Sequence, residues 1–214
     1  MNRRPLHPHP SIHAWRAGFT LVELLTVIAI ILVLAGLLLN VAGNANYKSS
    51  FARAQSEVKA METACESYKA DNGIYPRNTD TDGLNAQPNA GSPPPAPTSY
   101  TTSGKYFYQC LSGFTTGTKR YMEFKPGQLS TASATATADT YVIDPFGLCY
   151  GYSTANQKAQ ETASSSNGTV DATKGYNPTF DLWSTGGYST SGGKSYPNGA
   201  NSGAAAVALW AKNW

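Results

Sequence analysis

Hydrophobic positions along the chain fall into three regimes. From 19 to 39 they are nearly continuous, interrupted only by Thr20, Glu23, Thr26 and Gly36. At about 1.5 Å per residue this run reaches roughly 30 Å, the thickness of a hydrocarbon core. In the second regime Tyr47, Phe51, Ala54, Val58, Met61, Cys65 and Tyr68 recur at gaps of 4, 3, 4, 3, 4 and 3. That spacing traces one stripe along a helix, with Lys48, Arg53, Glu57, Lys59, Glu62, Glu66 and Lys69 on the exposed side. Asn72-Gly73 supplies a left-handed cap and Pro76 bars continuation. The two regimes together predict one helix from about Thr20 to Asp71, roughly 75 Å long. Gly36, Asn40, Gly43 and Asn44 weaken its middle, so bending or melting within 36–46 is expected outside a bilayer.

The third regime is short and alternating. Residues 78–102 form a polar, Pro-rich stretch expected to lie on the surface. Strand-like runs follow at 105–111, 120–124, 140–144, 149–153 and 179–185, with "DPFG" at 144–147 as a hairpin turn. A glycine-rich loop occupies 186–203. The pattern predicts an α+β fold, a long N-terminal helix packed on one face of a small antiparallel sheet. Its expected organisation is a basic, polar segment at 1–18, a transmembrane half-helix at 19–44 and an amphipathic half at 45–72. A Pro-rich surface loop at 73–104 and a sheet-and-loop domain at 105–214 complete it.

Charge narrows the function classes. Lys and Arg total 16 against 13 Asp and Glu, but Arg3, Arg4 and Arg16 precede Phe19 and the remainder balances. A clustered basic face for nucleic acid is therefore not expected. The same three arginines predict that the N-terminus stays cytoplasmic. All three histidines (His7, His9, His13) also precede Phe19. Loss of that segment would exclude imidazole catalysis and His metal sites. No nucleophile with a plausible base and no phosphate loop is evident, so the chain is not read as an enzyme. Cysteines stand at Cys65, Cys110 and Cys149. Cys110 with Cys149 is a possible disulfide in an oxidising compartment; three buried thiols are the alternative.

The first 18 residues are basic and polar, and the apolar run starts only after Ala17-Gly18, the reverse of an ordinary secretory signal. "RAGFTLVELL" (16–25) resembles the processing motif of type IV pilins and type II secretion pseudopilins. The resemblance implies that a membrane peptidase cuts after Gly18 and methylates Phe19, the new N-terminus. Glu23 then stands at mature position five as the assembly carboxylate. A carboxylate deep in a bilayer costs about 2.5–3.5 kcal/mol on insertion scales, so a partner is expected. The Phe19 ammonium qualifies, within the helix at i,i+4 or on a neighbouring subunit, where the pairing would fix an axial register.

"DNGIYP" (71–76), "DPFG" (144–147) and "FDLWSTG" (180–186) resemble major pseudopilins of type II secretion in particular. This implies a type IV pilin-like fold and a structural subunit that polymerises into a periplasmic pseudopilus for protein transport. The implied partners are further copies, other pseudopilins, the prepilin peptidase, an inner-membrane assembly platform and inner-membrane lipid. The implied location is single-pass in the inner membrane with a periplasmic C-terminal domain. The alternatives are a surface type IV pilus subunit for adhesion, motility or DNA uptake, or an anchored exported protein that never assembles. One implied feature does not transfer. The family's calcium loop is rich in aspartate, whereas 187–203 contains no Asp or Glu. Asn198, Asn201 and the serines offer only neutral ligands, so no cofactor or tight metal site is expected. Asp171 and Asp181 remain available to a different site.

Overall fold

The structure is a computed structural model and describes residues 18–88, 94–114, 119–131, 137–190, 193–197 and 202–214; side chains at 38–44 are outside the description. Residues 1–17 of the expected leader (with Arg3, Arg4, Arg16, His7, His9 and His13), Asn198 and Asn201 therefore lie outside the described residues. The chain divides into two units, Met1–Asn46 and Tyr47–Trp214, close to the expected boundary at 44/45.

In the first unit α1 (Leu21–Asn72) begins and runs unbroken through 36–46. The expected unwinding there concerns an assembled filament and stands as a proposal for that state. Side chains of 21–37 are exposed all round, Leu21 at 78% and Leu32 at 67% among them. A helix apolar on every side is built to be covered. Among the described residues no helix is long and apolar enough to cross a membrane; Leu38 and Leu39, the end of the expected span, carry no described side chains.

The second unit begins at Tyr47, and there the 4-3 stripe of α1 turns inward. Ala54, Val58, Met61 and Cys65 are buried, and Tyr47, Phe51 and Tyr68 are partly so. The helix stops where expected, at Gly73 with φ +79°. Glu57 corrects the sequence reading: it is buried, not exposed. It accepts a hydrogen bond from the Tyr150 hydroxyl at 2.7 Å and pairs with Arg53 at 2.8 Å.

The sheet has three antiparallel strands in the order β1 (Gly151–Ser153), β2 (Asp181–Ser184), β3 (Ala211–Lys212). Gly151 pairs with Trp183 and Tyr152 with Leu182. Alternate residues point to opposite faces, and both faces are covered, not the single one expected. Tyr152 and Leu182 join Val58, Met61, Cys65 and Phe107 in one core. Trp183 joins Ala86, Tyr100, Cys149, Val207 and Trp210 in a second. Gly151 is required by this arrangement, because a Cβ there would sit 2.1 Å from the Trp183 indole.

Two strand expectations fail. Residues 105–111 lie within α3 (Thr101–Ser112), ended by Gly113 at φ +64°. Its buried positions Ser103, Gly104, Phe107, Tyr108 and Leu111 follow helical spacing, but two of them are too small or polar to signal it. Residues 120–124 form no strand; the amides of Tyr121 and Met122 both donate to the Leu111 carbonyl. Around 140–144 only isolated bridges form, Leu129–Val142 and Ile143–Cys149. Between β1 and β2 the chain adds α4 (Ala155–Ser166), a helix of small and polar residues that no apolar pattern announces.

The Pro-rich stretch is not simply a surface loop. It contains α2 (Thr79–Gly83), capped by the Asn78 side chain, and a 3-10 turn at Pro97–Tyr100. Thr81, Ala86 and Tyr100 are fully buried. Arg77 anchors this region, binding Asp82 through Nε at 2.7 Å and also pairing with Glu161 of α4. All three cysteines are free thiols, Cys65 and Cys149 buried and Cys110 partly so, so no Cys110–Cys149 bond is formed in this structure. Cys149 packs under Gly104 in the first turn of α3, whereas Cys110 lies in its last turn.

Candidate functional site

The sequence placed its chemistry at the start of α1. Gly18 and Phe19 precede the helix, and Phe19 is 85% exposed. A Cβ added to Gly18 would meet nothing within 4 Å, and its φ lies outside the region that favours glycine. Among the described residues nothing therefore demands glycine at this position. A requirement for it must come from something that binds the segment.

Glu23 is held by Thr20. One carboxylate oxygen accepts from the Thr20 amide and from the Thr20 hydroxyl, both at 2.8 Å. In return the Glu23 amide donates to Thr20 Oγ1 at 3.2 Å. This is a capping box: residues three apart satisfy each other's free helix-end groups. The carboxylate also sits in the first turn, where the helix dipole favours negative charge. Thr26 continues the polar track by donating its hydroxyl to the Glu23 carbonyl at 2.9 Å. Thr20 is the residue the sequence reading missed. Its signal was present, a threonine three positions before a glutamate at the head of an apolar run.

The two C-terminal motifs meet in the second unit. Asp144 of "DPFG" accepts from the amides of Phe146 and Leu148 at 2.9 Å and from the Ser184 hydroxyl of β2 at 2.5 Å. Ser184 in turn accepts from the Gly186 amide at 3.0 Å. One buried carboxylate thus joins the turn to the strand. Burial pushes the Asp144 carboxyl up, aided by nearby Glu57 and opposed by these donors. Asp181 accepts from the amides of Tyr176 and Asn177 at 2.9 and 2.8 Å, and burial raises it to about 6. Asp171 is tied to Thr173 at 2.6 Å. Among the described residues no group of three His, Cys, Asp or Glu is placed to hold a metal.

Comparison with known proteins matches residues 16–39 to the prokaryotic N-terminal methylation motif. The chain is 40% identical over 90 residues to the type II secretion system core protein G of Aeromonas hydrophila, covering 42% of this chain and 61% of the relative. To the protein of that name from Dickeya chrysanthemi it is 40% identical over 88 residues, 41% of this chain and 56% of the relative. For Escherichia coli (strain K12) the identity is 41% over 88 residues, covering 41% and 59%. The chain thus spans less than two thirds of these relatives' own lengths. No solved structure matches it.

Proposed function

We propose that the protein is a pseudopilin, a non-catalytic subunit that polymerises through α1 into the periplasmic pseudopilus of a type II secretion system. The observation that carries this reading is the peptidase-type sequence around Gly18. It precedes an exposed apolar helix whose first turn holds one carboxylate at its tip. Among the described residues glycine at 18 makes no fold contact, which fits a residue selected by a processing enzyme. Cleavage would leave Phe19 as a cationic terminus, and Glu23, whose carboxylate bonds Thr20 among the described residues, keeps acceptor capacity for the ammonium of an incoming or resident subunit. Such a pairing in an apolar surround fixes axial register.

On this reading residues 19–39 lie in the inner membrane before assembly, with the N-terminus cytoplasmic and the second unit periplasmic. The partners are further copies, other pseudopilins, the prepilin peptidase and an assembly platform. The domain is proposed to work without a tight calcium site, since Asp144 and Asp181 direct their oxygens at protein donors and 187–203 has no acid.

The test is mass spectrometry of the N-terminus after co-expression with a prepilin peptidase. Methylated Phe19 as the first residue is expected; a chain that retains its leader would overturn the proposal.

A further inference from the structure

Beside the sheet's second core, to which it is joined by the Trp210 indole donating to the Tyr196 hydroxyl at 3.1 Å, an aromatic cluster gathers around a single cation. Tyr47, the first residue of the second unit, stacks on Phe51 and lies 5.5 Å from Phe146 and 6.4 Å from Tyr188 between ring centroids. Tyr188 stacks on Tyr196 at 5.3 Å. Over this cluster the Lys194 ammonium stands 4.7 Å from the Tyr47 centroid and 5.1 Å from that of Tyr188. None of the ion pairs among the described residues uses Lys194. Its own segment, 187–203, contributes no carboxylate.

The backbone here needs fastening. Gly186 and Gly187 both have positive φ, and a Cβ on Gly193 would lie 2.8 Å from Ser189 Cβ. Glycine-rich chain of this kind loses much conformational freedom on ordering. Three described backbone bonds hold its two arms: Tyr188 amide to Thr185, Ser189 amide to Lys194 and Lys194 amide to Gly187. The aromatic contacts add to these, as does the bond from the Trp210 indole to the Tyr196 hydroxyl. Burial and the neighbouring Tyr188 hydroxyl keep the Tyr47 phenol neutral, its pKa raised to about 12, so the cation meets a ring face and not a phenolate.

We propose that Lys194 is a cationic clamp, fastening the glycine-rich segment to α1 by sharing its ammonium between the rings of Tyr47 and Tyr188. The lysine supplies from within the chain the positive charge that orders this segment. Its order is then independent of divalent cations and depends on the aromatic character of residue 47. The inference concerns the isolated subunit and stands whether or not the protein assembles.

Hydrogen exchange on the full chain in detergent micelles tests it, read at the Tyr188, Ser189 and Lys194 amides. Lys194→Met and Tyr47→Leu are each expected to speed exchange there about three- to thirtyfold, with the double variant no worse than either single. Lys194→Arg and Tyr47→Phe, which keep the cation and the ring, should retain protection. Exchange in the wild type should be the same in EDTA and in calcium chloride. Unchanged protection in Lys194→Met, or slower wild-type exchange on adding calcium, would overturn the clamp. Global unfolding of a variant would show as equal acceleration at buried α1 amides such as Val58; Lys194→Arg and Tyr47→Phe then decide, because loss of local protection in both also overturns it.

Discussion

Helix α1 carries two glutamates in opposite circumstances. Glu23 is exposed, and among the described residues its carboxylate bonds only Thr20, three residues away. Glu57 is buried, fixed by Tyr150 from a segment 93 residues distant and by Arg53 one turn back. A carboxylate held by distant partners is spent on the fold of its own subunit. One held only locally, on a helix whose apolar side chains face outward, keeps capacity for a partner outside the chain. The same contrast separates the two units: the second ties its buried carboxylates Glu57, Asp144 and Asp181 to donors of its own, while the first offers an apolar surface open to an external partner.

Substituting each glutamate should separate the two roles. Glu23→Ala is expected to be processed normally and to melt like the parent. Its yield of sheared or cross-linked filaments should fall by at least about tenfold, the consequence of leaving a terminal ammonium unpaired in an apolar surround. Normal filament yield would break the contrast at its strongest point. Glu57→Ala should do the reverse in the isolated subunit, costing about 1–3 kcal/mol in denaturant unfolding because the Tyr150 hydroxyl loses its acceptor while buried. Tyr150→Phe combined with Glu57→Ala should cost less than the sum of the two singles.

These roles were unequally legible in the sequence. The stripe from Tyr47 to Tyr68 and the stop at Gly73 read directly, because apolar residues at 4-3 spacing and an Asn-Gly end leave little competition. Glu57 was misplaced because a stripe counted from apolar residues treats every charge between them as solvent-facing, whereas Tyr150 reaches it from another segment. The 105–111 run looked like a strand because its aromatics are dense and the small buried residues completing the helical face, Ser103 and Gly104, carry no hydrophobic signal. Helix α4 was invisible for the same reason. At the candidate site Gly18, Phe19 and Glu23 were singled out by their resemblance to a processing motif, while Thr20's hold on Glu23 needed the capping pattern. Lys194's placement over two rings, one of them 147 positions earlier in the chain, had no local signal at all.

A third carboxylate extends the contrast to pH. Asp181 is buried and its pKa stands at about 6, above the ordinary aspartate value. A carboxyl raised in the folded state binds its proton more tightly there than in the unfolded chain. Stability from this group therefore declines as pH rises from about 4 to about 6, and the deficit persists above that. Its size is about 2–3 kcal/mol. Burial raises Asp144 in the same direction, so the test is a difference. Asp181→Asn cannot ionise; it keeps an acceptor for one of the Tyr176 and Asn177 amides, which bond separate oxygens, and loses the other equally at every pH. Its melting temperature relative to the parent should rise as pH goes from 4 to 7. A difference that stays flat would show that Asp181 ionises in the fold at little cost, as an exposed carboxylate does.

The smallest expected effect falls where the buried helix ends. A Cβ at Gly73 would meet nothing within 4 Å, yet its φ is +79°. Gly73→Ala therefore isolates backbone strain from packing, and a cost of about 1 kcal/mol is expected. Gly18→Ala is the matched control, since it has the same open surroundings and no positive φ. It should leave unfolding of the second unit unchanged while blocking leader removal. Two glycines with equal space and unlike consequences would tie the first to helix geometry and the second to an external enzyme. If Gly18→Ala were cut as readily as the parent, glycine at 18 would have no role in processing. The first unit would then lose the feature that marks it as a surface made for other proteins.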